Sequence, residues 1–437
     1  MTIGKKVGVI SLGCDKNRVD TEKMLYFVSQ RHTLTTDIEN ADIIIINTCA
    51  FLESSRKEAV EEILGAIYLK EQGLVQKIIV TGCLPQKFID DIKDELVEVD
   101  GFLGVSDYEK INQVIDEIYQ DKRVNAVGVP SKECGNNRVL TTNNYAYLKI
   151  ADGCSNHCTY CLIPYIRGAF RSVSLEHLIT EAKSLGKVQE LILVAQDTTS
   201  YGKDLQNTNL VTLIQLLSQL DNINSIRLLY CYPEGITDQL IEEIATNPKV
   251  IKYIDIPLQH ADDKVLKRMN RKGTGSSYLS LIQKLKDRVS GIAIRSTFIT
   301  GFPGEDEVAF NNLVEFIKKA KLFNAGFFAY SKEEGTPAYK LDGHLNQSEK
   351  NKRLKKLYSV QRKIACETSK SFEGKTIKVL AEGFDENMSV YYGRAYFNAP
   401  EIDGKVYFFS GEEVEYGNYY DIQITKAEEY DLYGDRL

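Results

Sequence analysis

The chain of 437 residues, 43% hydrophobic and 26% charged, has the balance of a folded globular protein with apolar material for several cores, and its length suits two to four domains. No apolar run nears the roughly 18 residues of a membrane span, and the short basic-then-apolar start from Lys5 to Ile10 reads as a first strand in a cytoplasmic protein rather than as a signal peptide. The formal charge of −7 lies in residues 375–437, which hold 6 Lys/Arg against 13 Asp/Glu, while the preceding 374 residues hold 48 of each.

Residues 1–125 alternate β-branched runs (7–12, 43–47, 78–81) with helical patterns (20–30, 53–72, 86–96), which predicts a parallel α/β sheet. Polar loop chemistry at 131–144 marks a boundary, with 126–144 as a linker. From 145 to 345 the alternation resumes. Its candidate strands at 147–150, 191–195, 226–230, 253–256, 292–298 and 325–330 suit a partial or full β/α barrel, and a doubly wound sheet fits almost as well. Residues 346–374 form a polar linker helix whose cluster of Lys350, Lys352, Arg353, Lys355 and Lys356 reads as a solvated face. From 375 to 437, β-branched and aromatic runs between glycine turns predict a small all-β barrel.

Nine cysteines, an odd number in a long chain, point to metal binding or catalysis in a reducing compartment rather than to disulfides. Cys154, Cys158 and Cys161 lie within eight residues, after a predicted strand. A zinc site would want a fourth ligand nearby, and only His157 offers itself, better read as an exposed loop residue. Three thiolates on a four-iron cluster instead leave one iron open, able to chelate the amino and carboxylate groups of S-adenosylmethionine. Cys14, Cys49 and Cys83, spaced 35 and 34 residues apart, each follow a predicted parallel strand, so they are expected to share one sheet edge and to hold a second such cluster. Cys134, Cys231 and Cys366 share no such pattern and read as structural.

The Cys-x3-Cys-x2-Cys segment, with Tyr160 before its third cysteine, resembles the radical S-adenosylmethionine superfamily. There Tyr160 would lie near the adenine, and the run from Ser296 to Glu305, with Gly301 and Gly304 flanking Pro303, would be the adenosine-binding turn. Together with the three strand-end cysteines, the whole chain resembles the methylthiotransferases, ending in a TRAM domain. The stretches 11–17, 195–202, 229–234, 255–260, 399–404 and 430–434 are similar to the RimO family within that group, whereas Val173 stands where the family often has a basic residue.

This resemblance implies two 4Fe-4S clusters and S-adenosylmethionine. One cluster would cleave S-adenosylmethionine to a radical that takes a hydrogen from the β-carbon of an aspartate in protein twelve of the small ribosomal subunit. The other would carry the methylthio group, with an external sulfur donor and electron donor. A tRNA adenosine methylthiotransferase and a non-catalytic iron–sulfur carrier are the alternatives. The acidic C-terminal piece favours a basic ribosomal protein over tRNA, because RNA binding rests on neutralising phosphates. Its 13 aromatics, which could stack on bases, suit a barrel core and surface equally.

Overall fold

Ile43 to Ile46 are all buried, and strand alternation sends Ile43 and Ile45 to one face and Ile44 and Ile46 to the other. Such a strand needs helices on both sides. The computed structural model, which describes residues 2–131 and 135–437, supplies them. Six parallel strands, β1 (Lys6–Ser11), β2 (Thr33–Thr35), β3 (Ile43–Thr48), β4 (Lys77–Gly82), β5 (Gly101–Leu103) and β6 (Val124–Ala126), lie in the order β2-β1-β3-β4-β5-β6. Helices α1 (Asp15–Ser29) and α4 (Ile111–Ile118) cover one face, and α2 (Glu53–Glu71) and α3 (Cys83–Ile92) the other. The winding reverses between β1 and β3, and α/β sheets bind ligands in the crevice outside the strand ends at such a reversal.

The second sheet joins β7 (Tyr145–Lys149), β10 (Val188–Val194), β11 (Ile223–Leu228), β12 (Val250–Asp255), β13 (Ala293–Thr300) and β14 (Asn324–Ala329), all parallel and in sequence order. The short antiparallel pair β8 (Ala151–Asp152) and β9 (Arg171–Ser172) brackets the cysteine loop. Sequence order without reversal is barrel winding rather than doubly wound winding. Alternate residues such as Leu148, Leu191 and Leu228 meet the outer helices, while Tyr147, Ile192 and Tyr253 face inward. β7 and β14 are the two edges, so the barrel is partial.

The helix Gln347–Lys370 packs along the β14 edge. This corrects the reading of its basic cluster as a solvated face. Lys352, Lys355 and Lys356 are exposed, but Lys350 is buried and donates to the Tyr330 carbonyl at 2.8 Å, and Arg353 is buried against Glu305 at 2.7 Å.

Strands β15 (Thr376–Asp385), β16 (Val390–Arg394), β17 (Val406–Phe409), β18 (Tyr419–Ala427) and β19 (Leu432–Arg436) close into a barrel. Its connection from Ala395 to Asp403 lies against the interior of the partial barrel. The Tyr253 hydroxyl donates to Asp403 at 2.8 Å, Arg394 reaches Glu190 at 2.9 Å, and Phe397 and Ala399 share a core with Tyr147 and Tyr253. Part of the acidic surplus is therefore matched by the other units, Arg295 by the buried Asp403 and Arg18 at the surface by Glu401. No described helix is long and apolar enough to cross a membrane.

Candidate active site

Cys14 is the N-cap of α1 after β1, Cys49 follows β3, and Cys83 opens α3 after β4. β1, β3 and β4 are neighbours, so three cysteines far apart in sequence meet at one sheet edge. Two glycines make the approach. Gly13 has φ +89°, and a Cβ there would lie 2.7 Å from the Cys49 Cβ; Gly82 has φ +95°, and a Cβ there would lie 2.3 Å from the Asn47 Oδ1. Gly82→Ala is accordingly expected to cost about 1–3 kcal/mol in strain, read as a lower urea midpoint. An unchanged midpoint would show that the turn can relax.

The other triad sits at the C-terminal ends of the second sheet's strands. The Cys154 N–H donates to the Gly168 carbonyl at 3.1 Å, and the Ile163 N–H donates to the Cys161 Sγ at 3.4 Å. His157 is exposed with φ +50°, as its loop reading requires.

All six cysteines line one cavity of about 670 Å³, together with Tyr160. No Asp, Glu or His is among its described lining residues, and its charged groups are Lys16, Arg167 and Arg271. Burial pushes the Cys83 thiol up to about 12 against the pull of Arg167, and the Cys154 thiol up to about 11. No three His, Cys, Asp or Glu among the described residues stand close enough to hold a single metal ion. Soft thiols alone, three from each unit, fit iron–sulfur clusters.

Several residues that the sequence analysis did not single out shape the site. The Arg167 guanidinium donates to Asp152 at 3.0 Å, Asp20 at 2.9 Å, Asn17 at 2.6 Å and the Cys83 Sγ at 3.6 Å, tying the two units together beside a cysteine. The Lys149 ammonium bonds to Asp20 and Asp152 in the same buried network. Asn17 donates to the carbonyls of Leu12 and Thr48 at 3.1 and 3.0 Å, closing the loop around Cys14. Lys16 lies 3.3 Å from the Tyr230 ring centroid and pairs with Asp15 at 2.9 Å; burial opposes its charge, but Asp15 and Tyr230 hold its pKa above the usual lysine value. Lys16, Asn17 and Tyr230 lie in stretches that carry the family resemblance. Arg167 and Arg271 lie in none, and only their placement marks them. Tyr230 and Gln259 have φ of +58° and +71°, sparsely populated values that cluster at this cavity.

Gly301 and Gly304, with φ +75° and +85°, lie outside the lining, and a Cβ on them would meet Lys350 and Arg268 respectively. Their turn is held by the buried Glu305 carboxylate, which accepts from the Gly301 N–H at 3.0 Å and pairs with His260 at 2.9 Å. It touches the site through Phe302, edge-on to Tyr160 at 6.4 Å between centroids. Cys231 is buried in the barrel core, Cys366 is half-buried on the linker helix, and Cys134 lies outside the described residues.

Comparison with known proteins follows the same division. Residues 148–317 match the radical SAM superfamily, 6–104 the uncharacterized protein family UPF0004, and 374–436 the TRAM domain. The ribosomal protein uS12 methylthiotransferase RimO of Acetivibrio thermocellus is 45% identical over 99% of this chain and 98% of its own length. That of Thermoanaerobacter sp. is 44% identical over 99% and 100%. The chain belongs to the RimO family. Radical SAM membership brings with it a 4Fe-4S cluster and S-adenosylmethionine. RimO relatives are sulfur-group transferases, and this chain is an enzyme of that class. Among solved structures, the radical S-adenosylmethionine methyltransferase TsrM from Kitasatospora setae aligns with a TM-score of 0.57 at 12% identity over 77% of each chain. The cobalamin-dependent radical enzyme OxsB aligns with a TM-score of 0.53 at 12% identity, over 80% of this chain and 56% of its own. At such identities these two speak for the fold alone.

Proposed function

We propose that the chain places a methylthio group on the β-carbon of an aspartate in ribosomal protein uS12. The observation that carries this reading is the meeting of two cysteine triads, from two sheets, at one cavity. The RimO relatives support the substrate. When bound, two 4Fe-4S clusters and S-adenosylmethionine would supply the electron, the hydrogen-abstracting radical and the methylthio group that an unactivated carbon requires.

Cys154, Cys158 and Cys161 are assigned to one cluster, and Cys14, Cys49 and Cys83 to the other. Tyr160, backed by Phe302 and the Gly301–Gly304 turn, is assigned to the adenosine. Lys16, Arg167 and Arg271 are the charged residues of the lining, and no carboxylate stands among its described residues. A sulfur donor and an electron donor act from outside the chain, in the reducing cytoplasm where these thiols stay free. Anaerobic reconstitution with uS12 and with tRNA, read by mass spectrometry, tests the assignment. The expected result is a mass gain of one methylthio group on the aspartate peptide, and modification of tRNA alone would sink it.

The surface of the C-terminal barrel is assigned to the basic protein. Glu412, Glu413 and Glu415 are exposed, so reversing all three to lysine is expected to slow uS12 association about tenfold at low salt and less at high salt. Stopped-flow binding at two ionic strengths checks this. S-adenosylmethionine cleavage without substrate should be unaffected, and faster association of the variant would point to an RNA partner instead.

A further inference from the structure

Two of the three described cations lining the cavity are already neutralised. Lys16 pairs with Asp15 at 2.9 Å, and Arg167 with Asp20 at 2.9 Å and Asp152 at 3.0 Å. Arg271 differs. It is 7% exposed, the Tyr160, Tyr232 and Tyr278 hydroxyls and the Cys158 thiol stand around it, and no carboxylate among the described residues forms an ion pair with it. The Glu234 carboxylate is linked to it only through the Tyr278 hydroxyl, 3.3 Å from Glu234.

Its donors are only partly used. Nη2 donates to the Pro257 carbonyl at 2.7 Å, Nη1 is 4.0 Å from the Cys158 Sγ at the outer limit of a bond to sulfur, the guanidinium also bonds to the Tyr278 hydroxyl, and Nε has no partner. The plane is fixed by stacking 4.0 Å from the Tyr232 centroid. The preceding residue, Asn270, holds φ +58° and donates to the Asn156 and His157 carbonyls of the cysteine loop, at 3.3 and 3.0 Å. A buried, pre-oriented guanidinium without a carboxylate partner keeps donors for an incoming one, and its fork suits a carboxylate better than a lysine would.

We propose that Arg271 is a carboxylate-binding residue of this cavity, its free guanidinium edge taking the carboxylate of a ligand that enters beside Cys158. Two ligands of the reaction carry that group: S-adenosylmethionine on its methionyl end and the substrate on its aspartate. The second source rests on the functional reading above.

The test is equilibrium binding to the reconstituted full-length protein, wild type, Arg271→Gln and Arg271→Lys. One pair of probes is S-adenosylmethionine and its decarboxylated analogue. The other is a uS12 loop peptide with Asp or with Asn at the modified position. In Arg271→Gln the preference for the carboxylate-bearing member of one pair should fall about tenfold, with a smaller fall in Arg271→Lys. A fall in the first pair assigns Arg271 to the methionyl group, and a fall in the second assigns it to the aspartate. Unchanged preferences in both pairs overturn the proposal, even if iron content or the cluster's electron paramagnetic resonance changes, because Arg271 would then serve Cys158 alone. Should Arg271→Gln lose its fold by circular dichroism, Arg271→Lys decides by the same criterion. A wild type that leaves uS12 unmodified, while the first pair responds, would defeat the functional reading and leave this one standing.

Discussion

Replacing Cys154, Cys158 and Cys161 with alanine is expected to remove about half of the bound iron and to abolish cleavage of S-adenosylmethionine, because the other triad in the cavity has only the three thiols that its own cluster takes. Replacing Cys14, Cys49 and Cys83 should remove the other half, retain some cleavage and stop methylthio transfer. The difference follows from geometry. The first set hangs on one loop bracketed by β8 and β9, whereas the second is distributed over the ends of β1, β3 and β4. Iron analysis and deoxyadenosine release measure the two outcomes separately. Full iron retention in either triple variant would refute the ligand assignment, and one metal atom per chain, found to be zinc, would refute the chemistry.

Arg167→Leu is expected to destabilise the protein by about 3–5 kcal/mol, the usual cost of breaking a buried ion pair by removing one partner. Its guanidinium holds Asp20 of the first unit and Asp152 of the second, both buried. Without it, the two carboxylates keep Lys149 between them, and Asp152 keeps the bonds from Gln196 and the Gly153 N–H. Arg167→Lys keeps the charge but cannot span Asp152, Asp20, Asn17 and the Cys83 Sγ together, so an intermediate loss is expected. Denaturant unfolding of cluster-free protein gives the numbers without interference from iron. A loss under about 0.5 kcal/mol for Arg167→Leu would mean that the pair is solvated and does not lock the two units.

The six strands of the partial barrel were legible as β-branched runs because each is long enough to show a pattern. The three-residue strands β2, β5 and β6 were not, since they carry too few residues to display a period. The linker helix misled for a different reason. Lys350 and Arg353 lie one turn apart on the face that packs against the barrel, and a count of basic residues does not distinguish that face from the solvated one bearing Lys352, Lys355 and Lys356. The charge argument for the C-terminal barrel was coarse, because Glu401 and Asp403 are matched within the molecule by Arg18 and Arg295.

The sequence by itself determined the two cysteine sets, the order of sheet, barrel and barrel, and the family, because ligand spacing on one loop and strand-end position are local properties that the chain carries wherever it folds. Only the tertiary structure decided that both sets open on one cavity, that Arg167 clamps the two units beside Cys83, and that Arg271, alone among the described cations lining that cavity, has no ion pair with a described carboxylate. Those facts depend on which residues far apart in the chain are brought into contact and which charges burial leaves unmatched, and no run of neighbouring residues encodes either.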